Sequence, residues 1–325
     1  MNVRFTSPLS DEEQRYLLAA LKPGLWVSTG DAAPDSAGFD ILVSGRPTRE
    51  QVQASPNLRA LVIPWAGIPA ETRDLMREFP GVSVHNLHHN AAPVAELALM
   101  LLLAAAKFAL RYDAALRAGD WRIRYERPGP AILLEGKTAL ILGYGAIGRR
   151  LARSCAALGM TVLATRRLAA AVERDEWAEV HPPSGLRELL PRADALLICL
   201  PHTPETDGLL GPAELALLPE RSVLVNIGRG PIVDEAALYE ALRSGRMAAA
   251  GLDVWYTYPP DEASRPDTRP SAFPFHELDN VVMSPHRGGA SDETPRLRME
   301  ALAVLLNAAA AGQEIPNRVD LEAGY

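Results

Sequence analysis

The chain has 325 residues, 48% of them hydrophobic and 22% charged, with a formal net charge of −7. That length suits two domains of ordinary core size, and the composition excludes extended disorder. The negative balance supplies no basic field for nucleic acid or an anionic membrane surface, although local arginine pairs can still hold small anions.

Two cysteines, Cys155 and Cys199, are too few for a disulfide framework and favour a reducing, cytoplasmic setting. The opening stretch MNVRFTSPLSDEEQRYLLAAL has no basic segment followed by an apolar one of the signal-peptide kind. Residues 97–106 are apolar but lie between Glu96 and Lys107; ten residues cannot span a bilayer, so a core helix and no membrane partner are expected.

In chain order, apolar runs at residues 3–5, 40–43, 58–63 and 82–85 alternate with helix-like stretches. The alternation predicts a small α/β domain with a parallel sheet. One long helix over 91–118 should follow, ending near Gly119. A strand at 138–142 runs into glycines 143, 145 and 148, then a helix to 158 and a strand at 160–164. Further strands at 195–200, 223–227 and 248–252, with helices near 184–190 and 234–243, make a second doubly wound unit. A strand at 280–283 precedes a last helix over 289–311. The segment 259–279, with five prolines and two arginines, shows neither period. It reads as a lid or a surface insertion, able to bring Asp261, Glu262, Arg265 or Arg269 toward an active site.

The glycine run Gly143-Tyr144-Gly145-Ala146-Ile147-Gly148 sits between a predicted strand and a predicted helix, the context in which such a run binds a dinucleotide. Gly143 permits the tight turn, Gly145 the approach of the pyrophosphate to the amides of Ala146 and Ile147, and Gly148 close packing of helix on strand. An acidic residue about 20 positions further on would hold a ribose hydroxyl. The chain instead has Thr165, Arg166 and Arg167. Two guanidiniums fit a 2′-phosphate, so NADP(H) is the preferred cofactor, with NAD(H) second.

Arg229, in Asn226-Ile227-Gly228-Arg229-Gly230, follows a buried-looking strand at the end where open parallel sheets bind ligands. With "HNAAPVAE" (89–96), "LEGKTALILGYGAIG", "LPHTPETDGLL", "NIGRGPIVDEAAL" and "NVVMSPH", the chain resembles the D-isomer-specific 2-hydroxyacid dehydrogenase family over most of its length and in the family's order. The resemblance implies an α/β fold of two doubly wound, Rossmann-like domains with the active cleft between them: residues 1–98 and 287–325 for substrate, 99–286 for the dinucleotide. It implies hydride transfer between a nicotinamide and a small 2-keto or 2-hydroxy acid, and a homodimer formed by the nucleotide domains. Arg229 would clamp the substrate carboxylate and polarise the carbonyl, since its planar fork stays charged and binds in two prongs. His286 would be the acid and base. Backbone amides of Ala66, Gly67 and Ile68 would bind the carboxylate, with Asn90 facing the substrate. Pro201, Thr206, Ile227 and Gly288 would line the cofactor, and Asp253 would contact the nicotinamide carboxamide, although an Asp there can equally cap a turn.

Tyr258 departs from the family, which usually has at this position a Glu paired with the catalytic His. Placed beside the substrate, it leaves the His without its carboxylate. Formate dehydrogenases also lack that Glu, which keeps open a formate- or phosphite-like oxidation without proton transfer at a carbonyl. A dinucleotide-sensing binding protein, as some corepressors with this fold are, is the other class. His85, His88 and His89 have no Cys or carboxylate at metal-binding spacing, and no metal is expected.

Overall fold

The computed structural model describes residues 1–30, 38–127 and 129–323. The chain divides into two compact units, Met1–Asn90 with Ala290–Tyr325, and Ala91–Gly289.

In the first unit five parallel strands stand in the order β2-β1-β3-β4-β5: β1 (Asn2–Phe5), β2 (Trp26–Thr29), β3 (Ile41–Val43), β4 (Ala60–Val62) and β5 (Ser83–His85). The triplets Ile-Leu-Val and Ala-Leu-Val of β3 and β4 are buried throughout, as strands covered on both faces must be. Helices Asp11–Ala20 and Arg49–Gln53 start on reciprocal capping boxes, Ser10 with Glu13 and Thr48 with Gln51. The last helix, Thr294–Ala310, places Met299, Leu302 and Leu306 in one core with Val3, Phe5 and Ile41.

The second unit holds eight strands in the order β13-β12-β11-β10-β6-β7-β9-β8. These are β6 (Thr138–Leu142), β7 (Thr161–Thr165), β8 (Glu173–Arg174), β9 (Glu179–His181), β10 (Ala195–Ile198), β11 (Val223–Asn226), β12 (Ala249–Leu252) and β13 (Val281–Met283). All pairs are parallel except β8 with β9. The chain leaves β6 toward β7 on one side and returns to β10 on the other. That reversal is the topological switch point, and the glycine turn follows β6 there.

One expectation needs correction, and two findings add to the others. The long helix is two, Ala91–Ala106 and Ala109–Arg117, bent by 65° where Phe108 takes a left-handed φ of +53°. Strands β2, β8 and β9 were not anticipated, being short or largely exposed and so without an apolar signature. The proline-rich segment is pinned: Phe275 is buried against Tyr239 and Trp255, and Glu235 accepts hydrogen bonds from Ser271 Oγ and the Ala272 amide at 2.6 and 2.9 Å. Among the described residues no single helix is long and apolar enough to cross a membrane.

Candidate active site

The glycine turn is dictated by its neighbours. A Cβ on Gly148 would lie 2.1 Å from the carbonyl oxygen of Gly143, and Gly143 itself has φ +99° against the Cys199 carbonyl, so neither position accepts a side chain. A Cβ on Gly145 would meet nothing within 4 Å. Behind that open space begins the twelve-residue helix Ala146–Ala157, with no side-chain cap, so its first-turn amides face outward as an anion cradle. This is the geometry a dinucleotide pyrophosphate requires. The Tyr144 hydroxyl donates to Asp175 at 2.7 and 2.8 Å, and Asp175 also accepts the Trp177 and Ala178 amides, which fastens the segment after β7 to the turn. Burial, and then Asp175, push the Tyr144 phenol upward in pKa.

Thr165 is buried at the end of β7, and its carbonyl accepts the amides of Gly143 and Tyr144. Arg166 pairs with Glu173 at 2.5 Å through Nη2, while its buried Nε has no partner among the described residues. Arg167 is exposed, and the Glu205 pKa is lowered first by the Thr203 hydroxyl and its own backbone amide, with a smaller contribution from the Arg167 charge. Two guanidiniums adjacent in the chain at the end of β7 match the charge that a phosphorylated ribose would need.

At the carboxyl ends of β11, β12 and β13 the loops are tied together. Asn226 holds the first: its Oδ1 accepts the Gly228 amide and its Nδ2 donates to the Arg229 carbonyl, both at 3.0 Å. A Cβ on Gly230 would lie 2.3 Å from the Trp255 carbonyl, so glycine is obligatory where the loops cross. The Arg229 side chain is exposed, its Nη1 donating only to the Gly228 carbonyl at 2.7 Å. Among the described residues it makes no ion pair. An arginine held at its backbone by Asn226, with a guanidinium that makes no ion pair among the described residues, is poised for an anionic ligand.

His286 has a left-handed φ of +59°, held because Asp253 buckles its loop. The Asp253 carboxylate, 2% exposed, accepts Ser284 Oγ at 2.5 Å, the Arg287 amide at 2.8 Å and the Gly288 amide at 2.9 Å. Trp255 Nε1 donates to the Ser284 carbonyl at 2.8 Å. The Tyr258 hydroxyl lies 2.9 Å from His286 Nδ1 and accepts the Trp255 amide at 3.1 Å. Tyr258 therefore stands on the histidine. Desolvation first, then the charge of Arg229, lower the His286 pKa, with Asp253 partly offsetting. Asp261 and Glu262 are engaged locally instead, with Ser264 and Arg265.

Residues 99–288 match the family described as D-isomer specific 2-hydroxyacid dehydrogenase, NAD binding domain. The chain is 33% identical to D-3-phosphoglycerate dehydrogenase of Archaeoglobus fulgidus over 303 residues, 90% of this chain and 54% of that one. It is 40% identical to glyoxylate reductase of Aeropyrum pernix over 234 residues, 70% of this chain and 66% of that one. The chain belongs to the D-isomer specific 2-hydroxyacid dehydrogenase family. It spans about half the length of the phosphoglycerate dehydrogenases it matches. A crystal structure of a D-isomer specific 2-hydroxyacid dehydrogenase from Xanthobacter autotrophicus Py2, in complex with NADPH and MES, superposes with a TM-score of 0.79 at 27% identity, covering 100% of this chain and 99% of that one.

The remaining family positions divide between the units. In the second, the Thr206 hydroxyl donates to the Pro201 carbonyl at 2.7 Å and accepts the Thr203 amide, shaping the loop after β10, while Ile227 is buried. In the first, the loop after β4 is braced by Asn86, whose Nδ2 donates to the Ala66 carbonyl at 2.6 Å, and by the Leu87 amide on Trp65. Among the described residues no group accepts from the amides of Ala66, Gly67 or Ile68. Asn90 precedes helix Ala91–Ala106. His85 is spent on the Pro316 carbonyl and Ser83. Desolvation, then Arg298 and His88, lower His89 to a pKa of about 4. Sequence reasoning missed Asn226, Trp255, Glu173 and Asp175. Of these, Asn226 carried a signal in the motif around Arg229, and Trp255 in the run Asp253-Val254-Trp255.

Proposed function

We propose that the protein is an NADPH-dependent oxidoreductase interconverting a small 2-keto acid and its 2-hydroxy acid. The observation that carries this reading is the unpaired guanidinium of Arg229 acting on the Tyr258–His286 pair at the carboxyl end of a parallel sheet. When bound, the dinucleotide supplies or takes up the hydride. The turn 143–148 holds its pyrophosphate, with Thr165, Arg166 and Arg167 at the 2′-phosphate and Pro201, Thr206, Ile227, Asp253 and Gly288 along its length. Arg229 grips the substrate carboxylate and draws charge onto the carbonyl oxygen. His286 gives that oxygen a proton in reduction and takes it back in oxidation. The amides of Ala66, Gly67 and Ile68, and Asn90, are proposed as substrate contacts of the first unit. NADPH in the Xanthobacter relative and the adjacent guanidiniums of Arg166 and Arg167 at the end of β7 support the cofactor preference.

Oxidation of formate or phosphite is the second reading, favoured by the lack of a carboxylate on His286 Nδ1. Cytoplasmic location and a homodimer complete the proposal; exposed Leu110, Leu116, Trp121 and Tyr125 on the second unit support the dimer. Absorbance at the NAD(P)H band tests it, with glyoxylate, hydroxypyruvate, pyruvate and branched or aromatic 2-keto acids run reductively and formate and phosphite run oxidatively. Turnover of a 2-keto acid is expected. Turnover of formate or phosphite alone would establish the second reading, and tight NADPH binding without any turnover would overturn both.

A further inference from the structure

Replacing a carboxylate by a phenol changes more than charge, because a carboxylate can only accept a hydrogen bond from His286 Nδ1 whereas a phenol can donate one. The surroundings of Tyr258 decide which it does. Its oxygen already accepts the Trp255 amide at 3.1 Å. If it also accepted Nδ1–H, two donors would converge on one oxygen and its own proton would have no protein acceptor among the described residues. Donating to Nδ1, 2.9 Å away, satisfies all three groups at once.

We propose that Tyr258 is a positioning residue that fixes neutral His286 as its Nε2–H tautomer. The tautomer of a histidine follows from the bond its other nitrogen makes. Nε2, the nitrogen not engaged by Tyr258, is then a hydrogen-bond donor whether the ring is neutral or charged. A carboxylate at this position would draw the proton to Nδ1 and leave Nε2 bare in the neutral ring. The other charged groups acting on the ring do not compete for Nδ1. Arg229 is a cation, and Asp253 spends its oxygens on Ser284, Arg287 and Gly288. Tyr258 cannot serve instead as a proton source, since desolvation raises its pKa and a phenolate is disfavoured.

Resting on the proposed function, this deepens the role of His286. An uncharged imidazole whose Nε2 carries its proton can polarise a carbonyl oxygen by hydrogen bonding, acting as an electrophile without first being protonated. Full proton delivery still comes from the imidazolium: its Nε2–H bond breaks, a bond to the substrate oxygen forms, and the ring is left neutral with its remaining proton on Nδ1. The Nδ1–H form so produced returns to the resting tautomer by exchange with water.

Nitrogen NMR of the ligand-free protein, carrying 15N-labelled histidine, tests the proposal without turnover, above the pH at which His286 titrates. The expected spectrum has one ring with a protonated Nε2 and an unprotonated, hydrogen-bonded Nδ1. Tyr258→Phe keeps the aromatic packing, with ring centroids now 5.6 Å apart, and removes only the hydroxyl. It should lose the hydrogen-bonded Nδ1 signature and shift the His286 titration midpoint. Tyr258→Glu should move the proton to Nδ1. A wild-type spectrum with Nδ1–H, or a Tyr258→Phe spectrum identical to wild type, would overturn the proposal even in an active enzyme. A confirmed tautomer in a protein that turns nothing over would overturn the proposed function instead.

Discussion

At the carboxyl end of the first sheet the loop after β4 presents three backbone amides, braced by Asn86. At the carboxyl end of the second sheet the loops after β11, β12 and β13 present side chains, Arg229, Tyr258 and His286. Ion pairs occur in both units, as in Arg46 with Glu71 in the first and Lys137 with Asp194 in the second, while Arg229 makes none among the described residues. On the proposed function, backbone amides are offered at the first sheet end and ionisable side chains at the second. Substitutions at Arg229, Tyr258 and His286 should therefore change chemistry at little cost in folding, whereas a half-buried position such as His89 in the first unit should change stability.

Removing Arg229 is the strongest way to break that contrast. Arg229→Ala should lower kcat/KM by a factor of about 100 or more while leaving NADPH binding within a few-fold of wild type, because both the clamp and the polarising charge are lost. Arg229→Lys should recover little, since an ammonium lacks the two-pronged geometry. Near wild-type turnover in either variant would show the residue to be a bystander. Loss of NADPH binding as well would place its role in folding.

Cofactor choice is the next largest effect. Charge-assisted hydrogen bonds contribute roughly 1.5–3 kcal/mol, so NADPH should be favoured over NADH by about tenfold or more in kcat/KM. Arg166→Asp should abolish that preference. Glu173→Gln, which frees the guanidinium now held at 2.5 Å, should tighten NADPH binding measured by fluorescence titration and leave NADH unchanged. A wild-type enzyme using NADH equally well would remove the role assigned to Arg166 and Arg167.

The glycine turn was legible because backbone crowding dictates its spacing: Gly148 has 2.1 Å to spare for a Cβ that needs more than 3 Å. Arg229 and His286 were legible through the motifs around them. The contacts that give them their character were not. Tyr258 and His286 are 28 positions apart and Tyr144 and Asp175 are 31 apart, and no periodicity links such pairs. The helix break at Phe108 falls just past the apolar run 97–106, where helix-favouring residues continue on both sides and a left-handed phenylalanine leaves no mark. Strand β8 is exposed and β9 buries only Val180, the two joined by Arg174 with Glu179, so the hydrophobic pattern passes over them.

The pH profile sharpens the comparison by asking how the reactive end is tuned. His286 titrates below the usual 6.5 because desolvation and Arg229 disfavour its charged form. Reduction draws on the imidazolium, so its rate should fall as pH rises through that lowered pKa, earlier than for an unperturbed histidine. Tyr258→Glu brings an anion to Nδ1, stabilises the imidazolium and should move the falling limb upward by about one pH unit, equivalent to about 1.4 kcal/mol. Profiles of log kcat/KM against pH for both proteins provide the check. A limb that stays in place would mean that His286 is not the titrating acid.

The smallest effect belongs to the first unit and to stability. His89 has a pKa of about 4, lowered by desolvation, Arg298 and His88, and its buried Nδ1 has no partner among the described residues. In the unfolded chain the same imidazole titrates near 6.5, so between these values the unfolded state binds more protons. The neutral histidine therefore causes no loss of stability above about pH 6.5. Stability falls as pH drops from there toward 4, and the penalty levels off once both states are protonated. Partial exposure and screening reduce the full linkage value, leaving on the order of 1 kcal/mol. His89→Asn carries no titrating group and should flatten that part of the dependence, so urea midpoints at about pH 7 and about pH 4.5 should differ less in the variant than in the wild type. Equal losses in both proteins would move the acid sensitivity away from His89, while kcat/KM at neutral pH should respond far less to this change than to any at the end of the second sheet.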